Sequence, residues 1–295
     1  MRKIAFWLGL TCLAAGCASG TPSTPAIWKV SDADNRVYLL GSFHALKAED
    51  YPLSESVMNA YADAERMAFE VAPHELQSAD LAARMQQSAL LPAGQNLQAL
   101  LPEASWQQLL AWSQANPVFP IAGLNRLEPW FVAILVVNTH AKEQGFDSAL
   151  GVDQHFMNAA KLVAKPSIGL EKASQQIALF DGMSVRAQQQ LLQEALDANA
   201  ADNARDLEKL RRLWKSGDVN GLQRETVARM RLEYPDLYQS INVDRNHAWL
   251  PQVKAMLDDE AIDDTMVVVG ALHLLGDDGL VQLLRNKGYR VERLK

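Results

Sequence analysis

Residues 37–46 read VYLLGSFHAL and residues 266–275 read MVVVGALHLL, so one pattern occurs near each end of the chain. In both stretches, four apolar residues typical of a buried strand are followed by Gly-x-x-His. Ligands of α/β proteins collect just beyond the carboxyl ends of the strands, and each glycine would let the chain turn there. The repeat therefore predicts that His44 and His273 lie on one edge of a sheet, where two imidazoles can converge on a metal ion.

Further strand and helix patterns place these stretches in an α/β core. Residues 27–30 and 37–41 flank a polar turn and predict a β-hairpin. A helix predicted over 53–66 leads into a strand at 66–71, which gives a β-α-β crossover. Other strands are predicted at 165–171, 265–270 and 289–294, and helical spacing occurs at 74–157, 174–233, 243–257 and 277–287. Strands at both ends with helices between them predict an α/β fold, a mixed, largely parallel sheet with a large helical insertion.

Two glutamates end short apolar strand segments inside the chain. Glu70 follows Met-Ala-Phe at 67–69, and Glu171 follows Ser-Ile-Gly-Leu at 167–170. A carboxylate in an apolar strand is costly to bury without a partner, so a metal ion or a cationic side chain is expected. Two histidines with one or two glutamates suit zinc, manganese or cobalt. A remaining glutamate could act as general base, and either glutamate can take either role.

Each of these residues also has an ordinary structural interpretation. A single histidine after a strand is usually a satisfied rim histidine, and only the repeat of the pattern favours a metal site. Each glutamate could instead form a salt bridge, for which Arg245 is an available partner. Surface or packing positions are expected for the other histidines, His74, His140, His155 and His247. Packing positions are also expected for Trp106, Trp112, Trp130 and Trp249.

The N-terminal region has the pattern of an exported lipoprotein. Two basic residues precede an apolar run at 4–15, which is too short to span a bilayer. The run ends in Leu-Ala-Ala-Gly-Cys, which resembles a bacterial lipobox, so we expect residues 1–16 to be removed and Cys17 to carry lipid. An ordinary secretory signal is the alternative. Residues 17–26 then comprise the lipidated cysteine and a flexible tether. Ala18 resembles the sorting signal for the outer membrane of Gram-negative bacteria, so we expect a lipid-anchored protein that faces the periplasm.

The composition excludes several classes of protein. With 48% hydrophobic and 21% charged residues, the chain has the balance of a globular protein. Its 28 Lys and Arg against 35 Asp and Glu give a net charge of -7 without a basic run, so nucleic acid is not an expected partner. The only cysteines are Cys12 and Cys17, so the mature chain would have no free thiol. Histidine and carboxylate are therefore the expected metal ligands.

Further motifs occur in the order and spacing of one protein family. They are Phe-Glu-Val around Glu70, Glu128-Pro129-Trp130, Gly151-Val152-Asp153, Gly169-Leu170-Glu171 with Gln176, Arg245-Asn246, and GDDGL at 276–280. Together with the paired Gly-x-x-His motifs, they resemble the TraB/GumN family, whose animal relatives are the Tiki metalloproteases. The resemblance covers nearly all of residues 27–295, which we expect to form one domain.

The resemblance implies a Tiki-like α/β fold related to erythromycin esterases and to ChaN-like haem-binding lipoproteins. It also implies a divalent-metal site held by His44, His273 and a glutamate, which we assign to Glu70; the Tiki relatives imply manganese or cobalt, and the donor set also suits zinc. The Tiki relatives imply hydrolysis of peptide bonds. Glu171 would then be the general base, and the Arg245-Asn246 pair would stabilise the oxyanion or support the ligands.

Two functions from different classes are consistent with these residues. The first is a lipid-anchored, metal-dependent hydrolase that acts on a peptide or another periplasmic substrate. The second is a non-enzymatic, ChaN-like lipoprotein that binds haem or a metal, with haem ligated by His44 or His273. The carboxylates distinguish them: Glu70 and Glu171 close to both histidines favour hydrolysis, whereas salt bridges that face away favour binding.

Overall fold

A computed structural model describes residues 22–197, 200–258 and 263–294 of the chain. The predicted signal peptide and Cys17 lie outside these ranges. The strands are β1 Ile27–Ser31, β2 Arg36–Ser42, β3 Arg66–Val71, β4 Ser167–Glu171, β5 Thr265–Gly270 and β6 Arg290–Leu294. The helices are α1 Glu55–Asp63, α2 Pro73–Leu76, α3 Ala79–Ser88, α4 Leu97–Leu100, α5 Glu103–Ala115, α6 Ile121–Leu124, α7 Pro129–Glu143, α8 Val152–Leu162, α9 Ala173–Asp181, α10 Val185–Asp197, α11 Ala200–Lys215, α12 Val219–Gln223, α13 Arg229–Glu233, α14 Pro235–Tyr238, α15 Asp244–Leu257 and α16 Leu280–Asn286. Two π-helical segments are Arg224–Ala228 and Gln239–Val243.

The six strands form one sheet in the order β4-β3-β5-β2-β1-β6. The pairs β2–β5, β5–β3 and β3–β4 are parallel, whereas β1 is antiparallel to both β2 and β6. The predicted hairpin is formed by β1 and β2, in which Ile27 pairs with Leu40 and Val30 with Val37. The expectation of a mixed, largely parallel sheet is therefore confirmed.

Strand β5 occupies the middle of the parallel part of the sheet. All six of its residues are buried, as expected for a Val-rich run that is covered on both faces. The sequence predicts a β-α-β crossover from β2 through α1 to β3. These two strands are parallel, but β5 lies between them and pairs with both. A strand from near the end of the chain thus completes a unit that begins near its start.

The large helical insertion is confirmed, and it lies in two parts, before and after β4. Helices α5, α7 and α10 surround a second apolar core that contains Leu109, Val132 and Leu192, each fully buried. Trp106 and Trp112 pack into this second core, as expected for packing anchors. Among the described residues, no helix combines the length and the apolar character needed to cross a bilayer.

Residues 23–26, which are predicted to belong to a flexible tether, pack against the folded body. Ser23 is fully buried, and its backbone N–H donates to the carbonyl of Pro52 at 3.0 Å. The next residue, Thr24, donates its N–H to the carbonyl of Lys215 at 2.8 Å. The prediction of a tether is therefore wrong for these residues, because their backbone groups find partners in two elements of the body.

Candidate functional site

Four predicted site residues meet at one edge of the sheet because their strands are parallel. Glu70 is the penultimate residue of β3, and Glu171 is the last residue of β4. His44 lies two residues beyond the end of β2, and His273 lies three residues beyond the end of β5. The carboxyl ends of β2, β3, β4 and β5 all reach this edge, which is where α/β proteins usually bind ligands.

One oxygen of Glu70 lies near both imidazoles. Its Oε1 is 3.9 Å from Nε2 of His44 and also 3.9 Å from Nε2 of His273. The backbone N–H of Gly270 donates to the same oxygen at 2.8 Å. Two imidazole nitrogens from distant parts of the sequence therefore lie at the same distance from one carboxylate oxygen.

Gly270 leaves the space that these three side chains share. A Cβ atom at this position would lie 3.1 Å from Nε2 of His44 and 3.2 Å from Oε1 of Glu70. At Gly41, a Cβ atom would lie 3.1 Å from the backbone of Ala271. Neither glycine has a positive φ. Gly41 lies inside β2, and Gly270 ends β5 where the chain turns, so neither position needs a left-handed backbone. Both glycines permit a close approach of neighbouring atoms.

His273 is buried and held by Asn246. Its Nδ1 lies 2.8 Å from Oδ1 of Asn246, whose Nδ2 donates to the carbonyl of Asp278 at 2.8 Å. Because an amide oxygen only accepts, Nδ1 of His273 carries the hydrogen and Nε2 keeps its lone pair. Burial lowers the pKa of His273 to about 3, so the ring is neutral at pH 7. Asn246 has both side-chain groups engaged, which favours a supporting role over contact with an oxyanion.

His44 is the exposed partner of this pair, with 60% of its side chain accessible. Its Nδ1 lies 3.2 Å from Oδ1 of Asp153, which also accepts a hydrogen bond from the Ser42 hydroxyl at 2.8 Å. Loss of hydration opposes the charged form, but Asp153 and Glu70 outweigh it and raise the pKa of His44 to about 9. Solvent screens this effect because the ring is open to water.

Arg245 links the two glutamates and His273. Its Nε and Nη2 donate to Oε2 and Oε1 of Glu171, at 3.1 and 2.6 Å. Nη2 also donates to Oε2 of Glu70, and Nη1 lies 3.1 Å from Nε2 of His273. A last bond runs from Nη1 to the carbonyl of Ile241 at 3.1 Å. All five N–H groups of the guanidinium therefore have an acceptor. The salt bridge to Arg245, expected as the alternative for both glutamates, is present.

Three more side chains complete this environment. Gln176, on α9, donates to Oε2 of Glu70 at 3.0 Å. Trp249 is fully buried, and its ring lies 4.5 Å from that of His273 and 4.6 Å from the guanidinium of Arg245. Trp249 therefore forms a wall of the site and does more than pack the core. Asp153, which belongs to the quoted Gly-Val-Asp motif, is the third carboxylate near the histidines.

Asp153, Gln176 and Trp249 are not among the site residues that the sequence predicts. Asp153 and Gln176 occur in the quoted motifs, and Trp249 lies four residues after Arg245 on α15, a spacing that brings side chains together on a helix. Of the remaining histidines, His74 and His247 are exposed, and His155 packs between aromatic rings.

The donor set has the chemistry of a divalent-metal site, but its atoms are spaced widely. Two oriented imidazoles and a carboxylate suit manganese, cobalt or zinc. Glu70 and Glu171 both pair with the guanidinium of Arg245, and Asp153 adds a third carboxylate beside His44, so negative charge is in excess when the imidazoles are neutral. In the described part of the chain, however, no three His, Cys, Asp or Glu side chains stand close enough to hold a metal ion.

The fold and the site define a class: a mixed α/β protein with histidines and carboxylates at the carboxyl ends of its parallel strands. The chain belongs to the TraB/PrgY/gumN family, whose profile matches residues 26–293. It is 28% identical over 262 residues to the protein named "Uncharacterized protein YbaP" of Escherichia coli (strain K12). The match covers 88% of this chain and 92% of that protein, and the protein of the same name from Shigella flexneri matches equally well. No solved structure matches the chain. The expected relation to erythromycin esterases and ChaN-like proteins stays a prediction.

Proposed function

We propose that the protein is a metal-dependent hydrolase whose divalent ion is held by His44, Glu70 and His273. The observation that carries this proposal is the position of Glu70 Oε1, 3.9 Å from Nε2 of each histidine. Asp153 and Asn246 bind the opposite nitrogens of the two rings through a carboxylate oxygen and a carbonyl oxygen, the kinds of acceptor that commonly orient metal-ligating histidines. Glu171 has no such contact with either ring and is assigned the proton-accepting role.

Manganese, cobalt or zinc bound there would supply Lewis acidity for hydrolysis. The chain's own residues supply the remaining functions. Glu171, with a side chain only 7% exposed, accepts a proton from the attacking water when Arg245 releases one of its oxygens. Arg245 offers N–H groups to the negative charge that develops on the carbonyl oxygen of the substrate. Asn246 keeps the Nε2 lone pair of His273 directed into the site.

We propose a peptide as the substrate class. The support is the resemblance to the TraB/GumN family, which covers both Gly-x-x-His motifs and the Arg245-Asn246 pair and whose animal relatives are the Tiki metalloproteases. An acidic chain with no basic run gives no reason to expect nucleic acid as an alternative substrate.

We also propose that Cys17 carries lipid and holds the protein at the periplasmic side of the outer membrane. The support is the lipobox-like sequence and Ala18 after the cysteine. Residue 23 is already packed on the body, so only residues 18–22 separate the anchor from the fold. Even fully extended, a segment of this length spans about 20 Å. The proposal therefore implies a body held close to the membrane surface.

Metal content and peptide cleavage test the hydrolase proposal together. We expect the full chain to retain manganese, cobalt or zinc, and His44→Ala and His273→Ala to lose both the metal and the cleavage of a peptide library. His247→Ala is the matched control, because this exposed residue lies two positions after Arg245, on the opposite side of α15. Unchanged metal content in the first two variants would contradict the site assignment.

A non-enzymatic metal-binding protein is the second candidate. The observation that favours it is the salt bridge of both glutamates to Arg245, which occupies the oxygens that a general base would use. Haem is the less suitable ligand for this edge, because Glu70, Asp153 and Arg245 surround the histidines with charge, whereas haem sites are largely apolar. Metal retention without cleavage of any peptide would identify this second function.

A further inference from the structure

Arg245 contacts Nε2 of His273 and the carboxylate of Glu70, two groups that the proposed ion would also contact. Its Nη1 is 3.1 Å from Nε2 of His273, and its Nη2 donates to Oε2 of Glu70. Nε2 has one lone pair in the plane of the ring, because the hydrogen of His273 resides on Nδ1 and goes to Asn246. A lone pair that accepts a hydrogen bond from Arg245 cannot simultaneously ligate an ion.

We infer that Arg245 is a built-in counter-cation of the site, which links Glu70, Glu171 and His273 until a divalent ion displaces it from His273. The inference rests on the proposed function, because it takes His44, Glu70 and His273 as the ligands. It adds that the chain carries its own competitor for the metal, so that metal affinity is limited by a residue that is not a ligand.

The contacts of Arg245 allow such a displacement without releasing the side chain. Its two bonds to Glu171 and its bond to the carbonyl of Ile241 involve none of the proposed ligands. Trp249 supports the guanidinium from one face at 4.6 Å. Ile241 lies in the π-helical segment Gln239–Val243, a type of irregularity that often occurs at functional sites. Arg245 can therefore leave His273 and remain held beside the site.

The positive charge of Arg245 opposes the binding of a divalent ion at the site. The side chains of Arg245 and Glu70 are only 13% and 15% exposed, so solvent screens their interactions weakly. A fixed positive charge a few ångströms from a divalent ion repels it. Removing that charge should therefore strengthen metal binding, even though it removes a partner of Glu70.

Titration of Mn²⁺ into the chelator-treated full chain tests the inference by calorimetry. We expect Arg245→Met to bind Mn²⁺ with a dissociation constant at least about tenfold lower than that of the wild type, the scale of one unit charge in a partly screened site. Arg84→Gln is the matched control, because Arg84 is exposed and pairs with Asp80 on its own helix. The dissociation constant of this variant for Mn²⁺ should not change.

Thermal unfolding supplies a second measurement that does not depend on activity. Without the guanidinium, Glu70 and Glu171 repel each other, so Arg245→Met should unfold at a lower temperature in chelator and gain more from saturating Mn²⁺ than the wild type gains. Should Arg245→Met fail to fold in chelator, Arg245→Lys keeps a charge with a shorter reach and should bind Mn²⁺ more tightly than the wild type, by a smaller factor.

The possible failures are distinguishable. If the wild type binds Mn²⁺ and both Arg245 variants bind it equally or more weakly, Arg245 supports the site and the inference is overturned, while the proposed function stands. If neither the wild type nor any Arg245 variant binds manganese, cobalt or zinc, the proposed function fails, and the inference fails with it.

Discussion

His273 and Asn246 form a directed hydrogen bond, with Nδ1 of the ring 2.8 Å from the amide oxygen. Both residues are buried, at 5% and 0% exposure, so water does not offer Nδ1 another partner. The bond fixes which ring nitrogen carries the hydrogen and aims Nε2 at Glu70. Asn246 also binds the carbonyl of Asp278, which joins the end of β5 and α15 to the loop before α16.

Replacing Asn246 should therefore weaken metal binding through His273. Asn246→Leu leaves Nδ1 of His273 and the carbonyl of Asp278 without partners, so we expect a loss of about 1–3 kcal/mol in the free energy of unfolding. Mn²⁺ affinity should fall about ten- to a hundredfold, as for other partners of ligating histidines. Calorimetry and urea unfolding measure the two effects.

The control for this prediction is Asn246→Asp, which keeps an acceptor for Nδ1 but loses the donor to Asp278. It should retain most of the Mn²⁺ affinity. An equal loss in Asn246→Asp and Asn246→Leu would show that the contact with Asp278, and not the orientation of His273, matters for the site.

Gly270→Ala should block the site while the fold is kept. The added Cβ atom would lie 3.1 Å from Nε2 of His44 and 3.2 Å from Oε1 of Glu70, within the space that the three proposed ligands share. We expect loss of measurable Mn²⁺ binding and a stability cost of about 1–3 kcal/mol from overpacking. Gly123→Ala is the control, since a Cβ atom added there would lie 3.9 Å from its nearest neighbour, a side-chain atom of Pro120. Binding as tight as that of the wild type would show that the ion does not occupy this space.

Much of the fold could be predicted from local patterns. Most of the strands follow from short apolar runs, and the paired Gly-x-x-His motifs place two histidines on the edge where the parallel strands end. The position of β5 between β2 and β3 could not be predicted in this way, because strand order depends on pairing between distant parts of the chain. Its uniformly apolar sequence indicates only that both faces of the strand are covered.

Part of the candidate site could also be predicted from the sequence. Glu70 and Glu171 attract notice because carboxylates are rare in apolar strands, and Arg245 was the expected alternative partner. Asp153 was missed because an aspartate in the first turn of a helix has an ordinary role there, stabilising the helix dipole. Its contact with His44 joins residues that are distant in the sequence, and no spacing rule reveals such a pair.

A second buried ion pair, away from the site, should contribute strongly to the stability of the fold. Asp50 is fully buried, and Nε and Nη2 of Arg211 bind its two oxygens at 2.8 and 2.7 Å. Among the described residues, Arg211→Met leaves this carboxylate with Lys215 as its one cationic partner, at 3.4 Å. We expect a loss of about 3–5 kcal/mol in the free energy of unfolding, measured in urea at pH 7. Arg229→Met, which removes an exposed pair on one helix, should change it by less than about 1 kcal/mol.

The same pair should give the protein a characteristic loss of stability in acid. Burial by itself would raise the pKa of Asp50, but the hydrogen bonds from Arg211 and from the backbone of Lys47 outweigh burial and lower this pKa below its ordinary value of 3.8. A carboxyl group whose pKa is lower in the folded than in the unfolded state stabilises the fold above the unfolded value. That stabilisation is lost as the pH falls through the folded value. Asp50→Asn lacks this titration, so its deficit in unfolding free energy should be constant above about pH 5 and shrink below about pH 4. Urea unfolding of both proteins between pH 3 and 7 measures the deficit. A deficit that stays constant across the whole range would mean that Asp50 titrates alike in the folded and unfolded chains, and that its pairing with Arg211 contributes nothing to acid sensitivity.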